Sequence, residues 1–294
     1  MAMEGTIIRG VGGFYYVHDR VSRVYACRAV GIFRNRGEKP LVGDEVRFEI
    51  LDETDLEGSV TEILPRRNAL IRPAVANVDQ AMLVFALQKP APNWNLLDRF
   101  LVMMHRWEVP VILIFNKADL SDEEEQQRVQ EIYRNAGCQV HCLSVSEGRG
   151  MEELHRLLHG RTTVLAGPSG VGKSSLLNTL CPDAAMATGE ISKKIGRGRH
   201  TTRHSELFFL EEDTFLMDTP GFTSLNIFAE DLTEMASCYP EFDAYREECR
   251  FLDCVHLGEP ECGVKDAVRE GKIPRIRYEN YCQMAEELRN RRKY

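Results

Sequence analysis

Residues 167–174 read Gly-Pro-Ser-Gly-Val-Gly-Lys-Ser and match G-x-x-x-x-G-K-[ST] at every fixed position. The run follows an apolar stretch, Thr162–Ala166, and opens a helical one, Lys173–Leu180. That strand–loop–helix context is what a phosphate-binding loop requires. The reason for the residues is geometric. Gly167, Gly170 and Gly172, with Pro168, Ser169 and Val171 between them, let the backbone curl so that successive N–H groups converge on phosphate oxygens. The helix start adds a positive end. Lys173 reaches the β- and γ-phosphates, the Ser174 hydroxyl ligates Mg2+, and Ser175 follows on the same turn.

Three further runs complete a nucleotide site. Asn116-Lys117-Ala118-Asp119 ends the apolar run Val111–Phe115 and fits the N-K-x-D pattern. Asp119 can accept hydrogen bonds from guanine N1–H and N2–H2, a donor pair that adenine lacks, so adenine would leave the carboxylate unpaired. The Lys117 stem can lie on the base, and Asn116 can hold the loop and approach the O6/N7 edge. Ser144-Val145-Ser146 follows the next strand, where the Val145 N–H can contact guanine O6. Asp218-Thr219-Pro220-Gly221 fits D-x-x-G: Asp218 would hold a Mg2+ water and the Gly221 N–H would sense the γ-phosphate. The ligand set is GTP or GDP with Mg2+.

The order of these motifs is unusual. Ras-like GTPases run P-loop, switch I, D-x-x-G, N-K-x-D, S-A-x. Here N-K-x-D and Ser144-Val145-Ser146 come first, then the P-loop, then D-x-x-G. The nucleotide domain is circularly permuted. Every loop still follows a strand's C-terminal end, so the same site can assemble from rotated connectivity. Phe222 stands after Gly221, where Ras-like enzymes place a water-orienting Gln. Phenylalanine cannot polarise water. His200, beside Thr201-Thr202 in a basic segment between the P-loop and D-x-x-G, is the local candidate to orient or deprotonate it.

Upstream of this domain, Thr6–Arg9, Phe14–His18, Val24–Arg28, Val46–Ile50 and Ser59–Ile63 are β-branched or aromatic and partly alternating, with turn signals between them. About five strands in so short a stretch fit a small closed barrel, an OB-fold first and an SH3-like barrel second. From residue 68 the pattern changes to alternating strands and helices, including helices over Trp94–Trp107 and Ser121–Gly137, the latter with Ser121 as a possible cap. The expected division is 1–67, 68–225 and 226–294.

The last part carries Cys249-x4-Cys254-x-His256-x5-Cys262. Three thiolates and an imidazole make a closed structural Zn2+ site, suited to folding rather than catalysis. Cys238 and Cys282 are stand-ins should one ligand differ. Nine scattered cysteines do not form a disulfide framework. The longest apolar runs fall far short of the roughly 18–20 residues that a membrane helix needs, and no signal-peptide pattern opens the chain, so the expected compartment is the cytoplasm. Without a coiled-coil pattern, a monomer is expected.

The net charge is −8, which argues against a uniformly basic nucleic-acid binder. The charge is uneven, however. Residues 1–36 carry six arginines against Glu4 and Asp19, 190–204 carry five bases against Glu190, and 272–294 carry seven bases against three acids. Residues 205–248 hold twelve acids and one base. Any one run fits a solvated face equally well. Three basic patches on an acidic chain suit a shaped RNA surface, with Arg34, Arg36, Arg197, Arg199 and the Arg289–Lys293 tail as candidate phosphate contacts.

Small barrel, permuted nucleotide domain, Phe222 after D-x-x-G, Gly198-Arg199-His200-Thr201-Thr202 and a Cys/Cys/His/Cys module together resemble the ribosome small-subunit-dependent GTPases, the RsgA, YjeQ or YloQ family. The likeness covers essentially the whole chain. It implies a multidomain fold: an N-terminal OB barrel, a central permuted P-loop GTPase domain and a mainly helical zinc module. It implies a cytoplasmic factor that binds the small (30S) ribosomal subunit and its 16S rRNA in the GTP state. Such a factor assists late maturation, helps release an assembly factor, and leaves after a hydrolysis that the subunit stimulates. The Thr-Arg pattern of related GTPases favours Thr202 over Thr201 as the second Mg2+ ligand. Two other classes remain: a GTP-gated module for a non-ribosomal RNA, and a P-loop ATPase or small-molecule kinase, which Asp119 opposes.

Overall fold

The computed structural model describes residues 2–29, 39–71, 74–182, 206–218 and 229–291. Its strands in chain order are β1 (Ala2–Val11), β2 (Phe14–His18), β3 (Val24–Ala29), β4 (Glu45–Asp52), β5 (Glu57–Ile63), β6 (Ala69–Ile71), β7 (Ala74–Ala76), β8 (Gln80–Ala86), β9 (Val111–Asn116), β10 (Gln139–Cys142), β11 (Thr162–Ala166), β12 (Leu207–Glu211) and β13 (Thr214–Asp218). The helices are α1 (Trp94–Arg106), α2 (Glu123–Tyr133), α3 (Met151–Leu158), α4 (Lys173–Leu180), α5 (Leu232–Ser237), α6 (Pro240–Asp243), α7 (Gly263–Arg269) and α8 (Arg275–Arg291). The described residues form two compact units. One takes residues within Met1–Gln80, Glu152–Ala166 and Lys173–Gly221, and the other those within Ala81–Met151, Gly167–Gly172 and Phe222–Tyr294.

In the first unit β1–β5 close into a barrel of order β1-β2-β3-β5-β4. Strand β3 pairs parallel with β5, and β1 pairs antiparallel with β4. This is the five-stranded Greek-key arrangement of the OB type, not an SH3-like one. Alternation along the strands turns Ile7, Val17, Tyr25, Cys27, Val46, Phe48 and Val60 inward. The segment after the barrel is tied back by charge. Asp44 is fully buried and accepts from Arg66 Nε at 2.6 Å and Nη2 at 2.8 Å, a bidentate pairing of the strong kind. The same unit holds β11 parallel to β13, and β12 antiparallel to β13. The β12–β13 hairpin packs on the barrel. His18, 4% exposed, stacks on Phe209 with centroids 4.1 Å apart and meets Phe215 edge-on at 5.9 Å. Arg9 pairs with Glu206 at 3.4 Å beside them.

In the second unit β8, β9 and β10 are parallel neighbours. Strand β8 is buried along its whole length, as expected for a strand covered on both faces. Helix α1 starts at Asn93, whose side chain accepts from the Leu96 N–H, the usual N-cap bond. Helix α2 is capped by Asp122, which accepts from the Glu125 N–H, whereas the Ser121 hydroxyl donates to the Ala118 carbonyl. The expected cap therefore moves by one residue, to the neighbour whose carboxylate reaches the free N–H. Helices α5 to α8 share one apolar cluster with Val102 of α1, including Met235, Tyr239, Phe242, Tyr281 and Met284.

A buried charge cluster crosses that core. Arg277 on α8 donates through Nε to Glu241 at 2.7 Å and through Nη1 to Asp98 on α1. Asn280 donates to the other Asp98 oxygen at 2.7 Å, and Tyr133 donates to Asp98 at 3.1 Å. The guanidinium also lies 4.6 Å from the Tyr239 ring centroid. Asp98 and Arg277 have side chains 0% and 1% exposed. Burial pushes the Asp98 carboxyl above its ordinary range against the opposing pull of Arg277 and Asn280. Removing one partner of such a cluster leaves the others buried and uncompensated. Arg277→Met is therefore expected to destabilise this unit by about 3–5 kcal/mol, read as a lowered urea midpoint in the fluorescence of Trp94 and Trp107. A loss below about 1 kcal/mol, the range of exposed pairs, would contradict the role given to the cluster.

Candidate functional site

Strand β9 delivers Asn116, 2% exposed, to the end of the sheet. Its Nδ2 donates to the Val171 carbonyl at 2.9 Å, and its Oδ1 accepts from the Val145 N–H at 3.3 Å. The carboxamide thus braces three loops, and both its ends are engaged within the protein. Lys117 adopts φ +61°, uncommon for a non-glycine residue. Its ammonium donates to the Gly170 carbonyl at 2.6 Å and also to the Lys89 carbonyl. The ammonium thereby ties its loop to the phosphate loop and to the Lys89 turn.

Asp119 sits on a one-turn 3-10 helix, Ala118–Leu120, and is exposed. The Ser144 hydroxyl donates to its carboxylate. Ser144 is itself fully buried, and its oxygen lies 3.0 Å from the Ser146 hydroxyl. The Ser144 hydrogen bond holds the Asp119 carboxyl below the usual range, against a small opposing effect of burial, with lesser help from Ser146 and Arg149. An ionised carboxylate held by one oxygen has the other lone pairs to offer to the N1–H and N2–H2 donors of a guanine ring.

The P-loop follows β11, all of which is buried. Gly167 has φ +145°, and a Cβ there would stand 2.1 Å from the Val84 carbonyl oxygen. Gly172 has φ +97°, and its Cβ would stand 2.3 Å from Asn116 Nδ2. No side chain fits either position, so the glycines are demanded by packing as well as by phosphate access. Helix α4 begins at Lys173, with Ser174 and Ser175 exposed on its first turn. Burial lowers the Lys173 ammonium, and the Asp218 charge at the end of β13 opposes that effect. His200, Thr201, Thr202, Gly221 and Phe222 lie outside the described residues, as do Arg34, Arg36, Arg197 and Arg199.

Cys249, Cys254, His256 and Cys262 converge with all ligand atoms within 4.8 Å of one another. His256 Nδ1 lies 3.6 Å from Cys249 Sγ and 3.4 Å from Cys262 Sγ, and those two sulfurs are 3.8 Å apart. A tetrahedron with Zn–S of about 2.3 Å and Zn–N of about 2.0–2.1 Å has edges of about 3.8 and 3.6 Å. The four residues therefore fit one Zn2+ and leave no open position. Burial lowers the His256 imidazole to about 4, so it is neutral as a ligand must be. Burial pushes the Cys254 thiol up to about 12, a cost that a divalent cation reverses by drawing off the proton.

Neither stand-in belongs to the group; Cys238 donates instead to the Glu234 carbonyl at 3.3 Å. Tyr278 and Tyr281 donate to the carbonyls of His256 and Val255 and so fix the ligand loop on α8. The sequence gives only the i, i+3 tyrosine spacing as a sign of this. The Lys89 carbonyl beneath Lys117 has no sequence signal, because it is backbone.

Comparison with known proteins places these features in one group. Residues 63–228 match the family model described as RsgA GTPase, and residues 4–59 match that described as RsgA N-terminal domain. A small ribosomal subunit biogenesis GTPase RsgA from Agathobacter rectalis is 50% identical over 99% of this chain and 100% of its own. Its counterpart from Alkaliphilus metalliredigens is 45% identical over 99% of both. Among solved structures, YloQ, a circularly permuted GTPase, is 37% identical with a TM-score of 0.80, covering 99% of this chain and 96% of that one. YjeQ from Thermotoga maritima is 35% identical with a TM-score of 0.81, covering 98% and 99%.

The zinc assignment is open to a direct check. Cys262→Ser should abolish stoichiometric zinc in the purified chain, and chelation of the wild type should expose the C-terminal helices to hydrogen exchange. A metal-free wild-type chain with unchanged exchange there would refute a structural role for zinc.

Proposed function

This chain belongs to the RsgA GTPase family, and we propose that it is a small-subunit biogenesis factor whose GTP hydrolysis is stimulated by that subunit and drives its release. The observation that supports this reading is the full-length likeness to relatives named for that role. The proposed division is 1–67 for RNA contact, 68–225 for the nucleotide and 226–294 for the zinc module. The proposed partners are the subunit's 16S rRNA and the assembly factors bound to it, and the chain acts as a cytoplasmic monomer. Among the described residues, no helix is long and apolar enough to cross a membrane.

In this reading Asp119 selects guanine, Lys117 flanks the base, and Asn116 with Ser144 and Val145 sets the loops that hold it. Gly167 to Gly172 offer backbone N–H groups to the phosphates, with Lys173 on the β- and γ-oxygens and Ser175 on the α-side. Ser174 and Thr202 would hold Mg2+, with Asp218 on a metal-bound water, and the ion would supply charge neutralisation to the phosphates; the Gly221 N–H would sense the γ-phosphate. The burial that lowers the Lys173 ammonium also strengthens its pull on a phosphate oxygen. With Phe222 in place of a glutamine, His200 orients or deprotonates the attacking water.

The test is GTP turnover alone and with purified small subunits, with large subunits and tRNA as controls. Small subunits alone should raise turnover by about tenfold or more, at least about 1.4 kcal/mol off the barrier. Equal stimulation by tRNA would move the chain to a non-ribosomal RNA, and no stimulation by any particle would remove the proposed partner. His200→Ala should lower subunit-stimulated turnover by about a hundredfold or more and leave GTP affinity in place. An unchanged turnover number would take His200 out of the mechanism.

A further inference from the structure

The four residues between Cys249 and Cys254 are Arg250, Phe251, Leu252 and Asp253. They form a tight turn, with the Cys254 N–H donating to the Phe251 carbonyl at 3.3 Å, so Leu252 and Asp253 occupy its two central positions. Leu252 is 110% exposed and Phe251 42% exposed. Central turn positions favour Pro, Asp, Asn, Ser and Gly for conformational reasons that leucine does not share. A leucine already as exposed as in an extended chain gains nothing from folding, since no apolar area leaves water. Its presence serves neither the turn nor the core.

The loop is held rigid from both sides. Its two flanking residues are ligands of the Cys3His cluster. The Arg250 N–H donates to the Glu261 carbonyl at 3.0 Å, and its guanidinium pairs with the Glu261 carboxylate at 2.8 Å. The same guanidinium lies 5.7 Å from the Phe251 ring centroid. Single exposed apolar residues are ordinary on protein surfaces. An adjacent pair on a turn pinned by a metal cluster is a pre-ordered knob, and pre-ordering reduces what association costs. The exposed acids Asp253, within the turn, and Glu261, paired with Arg250, flank the knob, and the exposed Glu247 and Glu248 precede Cys249 in the chain, so the local charge is acidic. Such a charge repels a phosphate backbone and attracts lysine and arginine.

We infer that the Phe251–Leu252 knob is a docking element that seats in an apolar socket on a lysine- and arginine-rich protein surface. Given the proposed function, on which this rests, that surface belongs to a protein of the small subunit rather than to its rRNA. The knob is the anchor, the local acidic charge sets orientation and encounter rate, and zinc keeps the turn in its binding geometry. This gives the zinc module a binding role distinct from the basic patches.

The experiment uses the full zinc-loaded chain with a non-hydrolysable GTP analogue and purified small subunits. One arm places a benzophenone amino acid at position 252 and maps the photo-crosslink. The other compares the subunit affinity of wild type, Leu252→Ala and Leu252→Asp, with zinc content and basal GTP turnover as controls for folding. The crosslink should fall on a subunit protein at an apolar site flanked by basic residues. Leu252→Asp should weaken binding by about tenfold or more, and Leu252→Ala by less, with both controls unchanged. A crosslink to rRNA would overturn the inference, as would wild-type affinity in Leu252→Asp, or no crosslink in a complex that forms. If wild type fails to bind small subunits at all, the proposed function fails and this partner goes with it.

Discussion

The Asn116 carboxamide, 2% exposed, has no water to turn to, so each end must find a protein partner. It finds the Val171 carbonyl of the P-loop at 2.9 Å and the Val145 N–H at 3.3 Å. These partners lie 55 and 29 residues away along the chain. The brace fixes the Asn116–Asp119 loop, the Ser144-Val145-Ser146 loop and the Gly167–Gly172 loop against one another. It also explains Gly172, since a Cβ there would stand 2.3 Å from Asn116 Nδ2 and displace it. None of this depends on the order in which the loops occur. It depends on each loop following the C-terminal end of its own strand, which is why a rotated chain can build the same arrangement.

The second dependency is electrostatic. Arg277 sits between Asp98 and Glu241 with almost no exposure, and a buried pair of this kind is weak evidence for stability in itself. What it supplies is position. Asp98 belongs to α1, Tyr133 to α2, Glu241 to α6, and Arg277 and Asn280 to α8, so one cluster sets the seating of all four helices. Through α8, whose Tyr278 and Tyr281 hold the His256 loop, that seating extends to the Cys3His cluster. The C-terminal helices therefore share a core with α1 and a buried polar cluster with α1 and α2.

The legible parts of the sequence were those whose chemistry is confined to short runs. Gly167–Ser174, Asn116–Asp119 and the Cys/His cluster each declare a backbone path and a ligand within about a dozen residues. The barrel strands showed as alternation, since one face of each is buried. Closure was expected from the number of short strands and is borne out; the strand order did not show, because the parallel β3–β5 pairing is non-local. The hairpin β6–β7 escaped notice because Ala-Leu-Ile and Ala-Val-Ala are too short to carry a period. Asp98 reads as an ordinary polar position on an amphipathic helix, and its partner Arg277 stands 179 residues away. The α2 cap was misplaced by one residue because Ser121 and Asp122 are both competent caps, and only the geometry chooses.

The central claim is that the braced loops present an ionised Asp119 to a guanine ring, with Ser144 fixing its direction. Calorimetric titration of GDP, ADP and xanthosine diphosphate into wild type and Asp119→Asn tests this most directly. Wild type should bind GDP and show no measurable ADP binding. Asp119→Asn, which exchanges an acceptor oxygen for a donor, should lose GDP by about a hundredfold and gain xanthosine diphosphate, as expected when the donor–acceptor pattern facing the base is reversed. An unchanged base preference in Asp119→Asn would contradict the account at its root.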